Sequence, residues 1–141
     1  VLLDTVSAAA RAWHDGGAPF AAAIVIGGDV VSSEVNGVGA SPDPTAHAEV
    51  CAIRSACRAL GTTDLTGAVL YSSCEPCLMC AASAIWAGIG TVVFAAPIEA
   101  VVGVPLKRLF PPGAVDWAQL LLTRELVRVE EAERTLARWR P

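Results

Sequence analysis

Charge is scarce in this 141-residue chain. Only 17% of its residues are charged, and 14 acidic against 10 basic residues give a formal net charge of −4 and a pI near 5.0. That balance argues against a protein that works mainly by gripping phosphate backbones, which requires a basic surface. Internal repeats and low-complexity linkers are absent. At roughly 100–200 residues per domain, the length points to one domain spanning residues 1–141. Val1–Ala10 holds an Asp and no basic n-region, so no secretory signal is expected and the cytoplasm is the expected compartment.

The longest uncharged stretch, residues 76–98, is long enough to cross a bilayer. It is interrupted by Ser83, Gly88, Gly90 and Pro97 and opens beside two cysteines. It therefore reads as a buried helix, a glycine break and a buried strand, with no membrane partner. Apolar residues make up 54% of the chain and the mean hydropathy is +0.53, which excludes a disordered protein. A chain this long can hold a core without disulfide staples. Its five cysteines are odd in number, so internal disulfides cannot pair them all. Cys74, Cys77 and Cys80 fall within seven residues, which favours a metal site in a reducing compartment.

Apolar spacing predicts an amphipathic helix over residues 2–14. An apolar strand over 20–26, a Gly27-Gly28-Asp29 turn and a strand over 30–35 make a hairpin. Residues 36–45 read as a loop. A helix over 46–60 carries a face of small residues, with Gly61 as its C-cap. A strand over 68–73, a helix over 77–87 and a strand over 91–95 follow. Residues 103–115 read as a Pro-rich loop, and mixed-sign charges predict a helix over 125–139. A hairpin followed by alternating helices and strands implies an α/β fold with a mixed sheet and helices on both faces.

The chemistry concentrates at two predicted helix starts. His47-Ala48-Glu49 opens one, and Pro76-Cys77-Leu78-Met79-Cys80 opens the other. Cys77 and Cys80, three apart, share one helix face, and a helix N-terminus favours the thiolate that binds metal. With His47 they form an N, S, S ligand set suited to one Zn²⁺ per chain, with the fourth position left to water. Glu49 is placed to move protons between that water and a substrate ring nitrogen. H-x-E followed by P-C-x-x-C is the known pattern of zinc nucleobase deaminases. Taken singly, His47 reads as a capping or core histidine and the cysteines as small core residues. Cys74 also has ligand spacing, so a structural Cys₃His site is the rival arrangement. Pro76 keeps Glu75 out of the helical region and Cys74 off the shared face, so Cys74 is expected not to be a ligand. Cys51 is expected in the core.

These residues carry a resemblance. Asp43-Pro44-Thr45-Ala46-His47-Ala48-Glu49-Val50, Ala52-Ile53-Arg54, Ser73-Cys74-Glu75-Pro76-Cys77, Met79-Cys80 and Ala84-Ile85-Trp86-Ala87 resemble the cytidine-deaminase-like superfamily, with the nearest likeness to bacterial guanine deaminases. The likeness runs from about Gly17 to Ala96. It implies a three-layer α/β/α domain with about five strands in a central mixed sheet. It also implies zinc on His47, Cys77 and Cys80, with Glu49 as proton shuttle. Asn36 would hydrogen-bond the base, the backbone at Ala48 would contact the reacting centre, and Phe20 and Trp86 would line or stack on the ring.

The implied reaction is hydrolytic deamination of an aminated purine or related heterocycle, with zinc hydroxide attacking the amino-bearing carbon. Guanine giving xanthine and ammonia is the leading case. A tRNA adenosine deaminase, or a deaminase of cytosine, a nucleoside or a triazine, is the alternative. A structural zinc or redox module stands as the non-enzymatic reading. The resemblance also implies a homodimer acting on a small molecule, with the C-terminal segment crossing between subunits in the family. Residues 97–141 match poorly. The family's acidic run is not found after the last matched strand, where Glu99 is the nearby acid. Trp117 and Trp139 are candidate closing aromatics, though amphipathic packing is the expected role for both.

Overall fold

The computed structural model describes residues 1–102 and 122–140. The expected loop over 103–115 and Trp117 therefore lie outside the described residues. The first two-thirds of the chain follows the sequence pattern closely. Helix α1 is Leu2–His14, strand β1 is Ala21–Ile26 and β2 is Asp29–Val35. Helix α2 is Ala48–Leu60, β3 is Val69–Ser72, α3 is Leu78–Trp86 and β4 is Thr91–Phe94. Gly61 ends α2 in the left-handed conformation (φ 67°), the backbone that glycine adopts without a Cβ penalty.

The last part differs from expectation. The helix predicted over 125–139 is a strand β5, Thr123–Leu126, followed by a shorter helix α4, Glu130–Arg138. The Thr-Arg-Glu-Leu backbone pairs with the edge of β4, Val92 opposite Arg124 and Phe94 opposite Leu126. Mixed-sign charges suit an exposed edge strand as well as a helix, and the tertiary pairing decides.

The five strands form one sheet in the order β2-β1-β3-β4-β5. β1 is antiparallel to both neighbours, whereas β3, β4 and β5 are parallel. Helices α2 and α3 pack together on one face, where Ala48, Ala52, Ala56 and Ala84 are fully buried against Ile24, Leu70 and Val92. Their small side chains allow close approach to the sheet. On the other face α1 meets α4, with Val6 and Leu136 in the shared core. This is the three-layer arrangement expected from the resemblance. No described helix is long and apolar enough to cross a membrane.

The topology gathers distant residues at one end of the sheet. β3 and β4 leave the sheet there, and the antiparallel β1 enters there. β2 leaves there too, because Val35 pairs with Ala21. Phe20, Asn36, Cys74 and Ala95, each just outside a strand, are thereby brought to one crevice. Ligand sites of open α/β sheets form at the carboxyl ends of parallel strands in this way.

Candidate metal centre

His47 and Cys77 share an unusual local role. Each is the N-cap residue of its helix, with extended backbone (φ −63°, ψ 151° and φ −66°, ψ 169°). Neither makes a side-chain capping hydrogen bond. Their side chains turn instead to a common point with Cys80, one turn into α3. Nδ1 of His47 lies 3.5 Å from Sγ of Cys77 and 3.5 Å from Sγ of Cys80, and the two sulfurs are 3.5 Å apart.

A tetrahedral zinc, with Zn–S about 2.3 Å and Zn–N about 2.0–2.1 Å, has ligand–ligand edges of about 3.5–3.8 Å. The observed triangle fits that ion. Among the described residues no fourth His, Cys, Asp or Glu joins the group. Three protein ligands with water in the fourth position are typical of catalytic zinc sites, and four protein ligands of structural ones.

The protons of the metal-free triangle are unevenly shared. The hydrogen bond from Cys80, with help from His47, lowers the Cys77 thiol to about 4, so it is a thiolate at neutral pH. Its bond to Cys77 and its burial hold the Cys80 thiol protonated. Contact with Cys77 raises His47 above its ordinary value, partly opposed by burial.

Glu49 stands two residues on from His47, in the first turn of α2. Only 7% of it is exposed, and burial raises its carboxyl above the usual range. Ser72 Oγ, at the end of β3, donates to its Oε1 at 3.4 Å. The approach to His47 is tied down by Asp43. Its Oδ1 accepts from the Thr45 amide (2.8 Å) and hydroxyl (2.6 Å), and its Oδ2 accepts from Arg54 at 3.2 Å. The Thr45 bonds and Arg54 hold the Asp43 carboxyl below its ordinary value.

A cavity of about 440 Å³ opens beside the triangle. It lies within the roughly 300–1,000 Å³ typical of small-molecule sites. His47, Glu49, Cys77, Asn36 and Phe20 all line it. Asn36 Oδ1 accepts from the Val38 amide at 3.1 Å, and no described residue takes its Nδ2 donors.

Ala48, expected to act through its backbone, has its side chain wholly buried in the core and stands between the lining residues His47 and Glu49. One expected residue lies elsewhere. Trp86 is 94% exposed at the end of α3, away from the cavity. The inward face of α3 is carried by Cys80 and Ala84, and a residue two beyond Ala84 points roughly to the opposite side.

Trp139, a candidate closing aromatic for which amphipathic packing was the expected role, stands edge-on to Phe20, ring centroids 5.1 Å apart, at the cavity wall. Other lining residues were not foreseen. Glu75, quoted only as part of the S-C-E-P-C run, and Ile98 line the same space.

Cys74 also lines the cavity but stands outside the ligand group. Burial raises its thiol above the ordinary range, as it does that of Cys80, so it is the geometry that separates the two: Cys80 lies in the triangle and Cys74 does not. Cys74→Ala is expected to retain one zinc per chain by metal analysis. Loss of zinc in that variant would make the site Cys₃His.

Comparison with known proteins agrees with this geometry. A sequence model of the cytidine and deoxycytidylate deaminase zinc-binding region matches residues 2–96. The chain is similar to a guanine deaminase of Bacillus subtilis, 50% identical over 80 residues, 57% of this chain and 51% of the relative. It is also similar to a tRNA-specific adenosine deaminase of Aquifex aeolicus, 44% identical over 88 residues, 62% of this chain and 58% of the relative. The matched stretches thus span little more than half of each of these proteins. A solved structure of guanine deaminase from Nitrosomonas europaea superposes with a TM-score of 0.80 at 27% identity, covering 97% of this chain and 80% of that one.

Proposed function

The chain belongs to the cytidine and deoxycytidylate deaminase zinc-binding family, and from that membership we propose that it is a hydrolytic deaminase of an aminated purine or related heterocycle, with guanine the leading substrate. The observation that carries the reading is the juxtaposition of the His47–Cys77–Cys80 triangle with buried Glu49 on one wall of a base-sized cavity. His47, Cys77 and Cys80 hold the metal, and residues 1–141 act as one domain.

Zinc held there would supply Lewis-acid activation of a bound water. The rest of the work falls to the chain. Glu49 takes a proton from the attacking water and delivers it to the ring nitrogen beside the amino-bearing carbon. A second proton delivered to the amino group lets the C–N bond break and ammonia leave. A carboxyl raised by burial is suited to this, because a shuttle must both accept and release a proton near neutral pH. Asn36 holds the base edge through its Nδ2 donors. Phe20, backed edge-on by Trp139, packs on the ring.

Guanine is favoured over the alternatives by the 50% identity to the Bacillus subtilis relative. The 44% identity to a tRNA-specific adenosine deaminase supports a second reading. The net charge of −4 opposes it, because RNA binding draws on a positive surface. A homodimer belongs to the same proposal. It is supported by the uncharged α3, on which Trp86 stands exposed.

The test is ammonia release by the zinc-loaded protein with guanine, and separately with tRNA carrying an adenosine in the anticodon. Turnover of guanine at roughly 1–1,000 per second is expected. Turnover of tRNA alone would transfer the assignment to the second reading. Full zinc occupancy with neither substrate turned over would move the assay to cytosine, nucleosides and triazines.

A further inference from the structure

Glu75 occupies a place that the reaction does not use. It lies between Cys74 and Pro76, faces the cavity, and has both carboxylate oxygens engaged by protein. Oε1 pairs with the Arg124 guanidinium on β5, and Oε2 accepts from the Ile98 amide at 3.0 Å. Its own amide donates to Ala96 O at 2.8 Å. The side chains of Arg124 and Glu75 are only 22% and 15% exposed, and the Arg124 guanidinium carbon lies 5.6 Å from the centre of the Phe94 ring. One residue therefore joins the loop after β3, the turn after β4 and the edge strand β5.

The join lies next to a ligand. Pro76 separates Glu75 from Cys77, and its ring fixes φ near −65°. Little torsional slack remains between the anchored Glu75 backbone and the extended N-cap conformation of Cys77. Ile98, held by Glu75 Oε2, belongs to one buried cluster with Val50, Cys77 and Cys80. The same carboxylate thus restrains the ligand loop from one side and anchors a member of the apolar cluster around the ligands on the other.

We propose that Glu75 is a positioning residue, and that its pairing with Arg124 makes docking of strand β5 a condition for the geometry and retention of the metal held by His47, Cys77 and Cys80. The proposal rests on the zinc reading of that triangle. With both oxygens already engaged, Glu75 holds the ligand loop and does not read the substrate. Loss of Arg124 takes the guanidinium away from a Glu75 carboxylate that is only 15% exposed, which is costly.

The test uses the full chain loaded with zinc or with cobalt(II), whose absorption reports ligand geometry. Glu75→Gln and Arg124→Met are compared with wild type, and Arg124→Lys serves as the conservative replacement. Zinc release to a chelator is expected to quicken tenfold or more in Glu75→Gln and Arg124→Met, with altered cobalt bands. Arg124→Lys, which keeps the charge, should recover part of both effects. The double variant should release metal no faster than the worse single one, because the two residues act as a unit.

Wild-type release rates and cobalt bands in both single variants would overturn the proposal. So would a rise in KM alone with release unchanged in Glu75→Gln, which would make Glu75 a substrate contact. If Glu75→Gln fails to fold, the two Arg124 variants decide by the same readouts. A wild-type chain that takes up no stoichiometric zinc would instead overturn the metal reading beneath it.

Discussion

Glu49→Gln is expected to bind one zinc per chain and to lose turnover by a factor of about 10²–10⁴ or more, the contribution typical of a positioned proton-transfer group. Gln keeps the shape of the side chain and can still meet Ser72 Oγ, which lies 3.4 Å from Glu49 Oε1. It cannot carry a proton from water to a ring nitrogen. The zinc triangle does not include Glu49, so metal content should not fall.

The same variant carries a pH signature in the metal-free protein. Burial raises the Glu49 carboxyl above its ordinary 4.5. A carboxyl raised on folding contributes stability that is fully present below its unfolded value and is lost as pH rises through its folded value. Each unit of the rise costs about 1.4 kcal/mol at neutral pH. Metal-free Glu49→Gln should therefore melt a few degrees above metal-free wild type at pH 7, with the gap closing toward pH 4. Near-wild-type turnover would end the shuttle assignment. A metal-free melting temperature at pH 7 no higher than wild type would mean that the buried carboxyl imposes no penalty.

Legibility from sequence followed the range of the signal. Helices α1, α2 and α3 and strands β1 to β4 were readable because apolar period, glycine breaks and turn dipeptides are local. The metal triangle was readable although His47 and Cys77 are thirty residues apart, since each half of the pattern opens a helix of its own. Strand β5 was not readable. Thr123–Leu126 has no apolar alternation, and only pairing with β4 makes it a strand.

The cavity wall divided in the same way. Asn36 and Phe20 flank strands whose ends are local, and both reached the cavity. Trp86 was read from its place in a run, and that run does not say which side of α3 faces the cavity. Trp139 and the Arg124 partner of Glu75 come from beyond residue 121, where only the assembled sheet brings them back. The α3 outer face carries the complementary lesson. Absence of charge marks a surface that water does not favour, whatever covers it.

Cys77→Ala is expected to reduce bound zinc from one per chain to nearly none and to abolish turnover with it. Cys77 is the better choice than Cys80, which is wholly buried and whose truncation would leave a hole under α3. Two ligands, His47 and Cys80, then remain for an ion that structural and catalytic sites hold with three or four. The remaining sulfur is also the one that holds its proton, so a metal ion must displace that proton to bind.

The metal-free variant has its own readout. Contact with Cys77 is the largest influence raising His47 above its ordinary 6.5. A histidine raised on folding contributes stability that is present below its unfolded value and disappears as pH rises through the folded one. Removing Cys77 leaves burial as the larger remaining influence, and burial acts downward. The His47 ring should therefore titrate at lower pH in metal-free Cys77→Ala than in metal-free wild type, as followed by NMR of its carbon-bound protons. Unchanged titration of His47 with zinc retained would dissolve the triangle as the metal site. A downward shift with zinc lost would tie ligand identity and proton arrangement to the same sulfur.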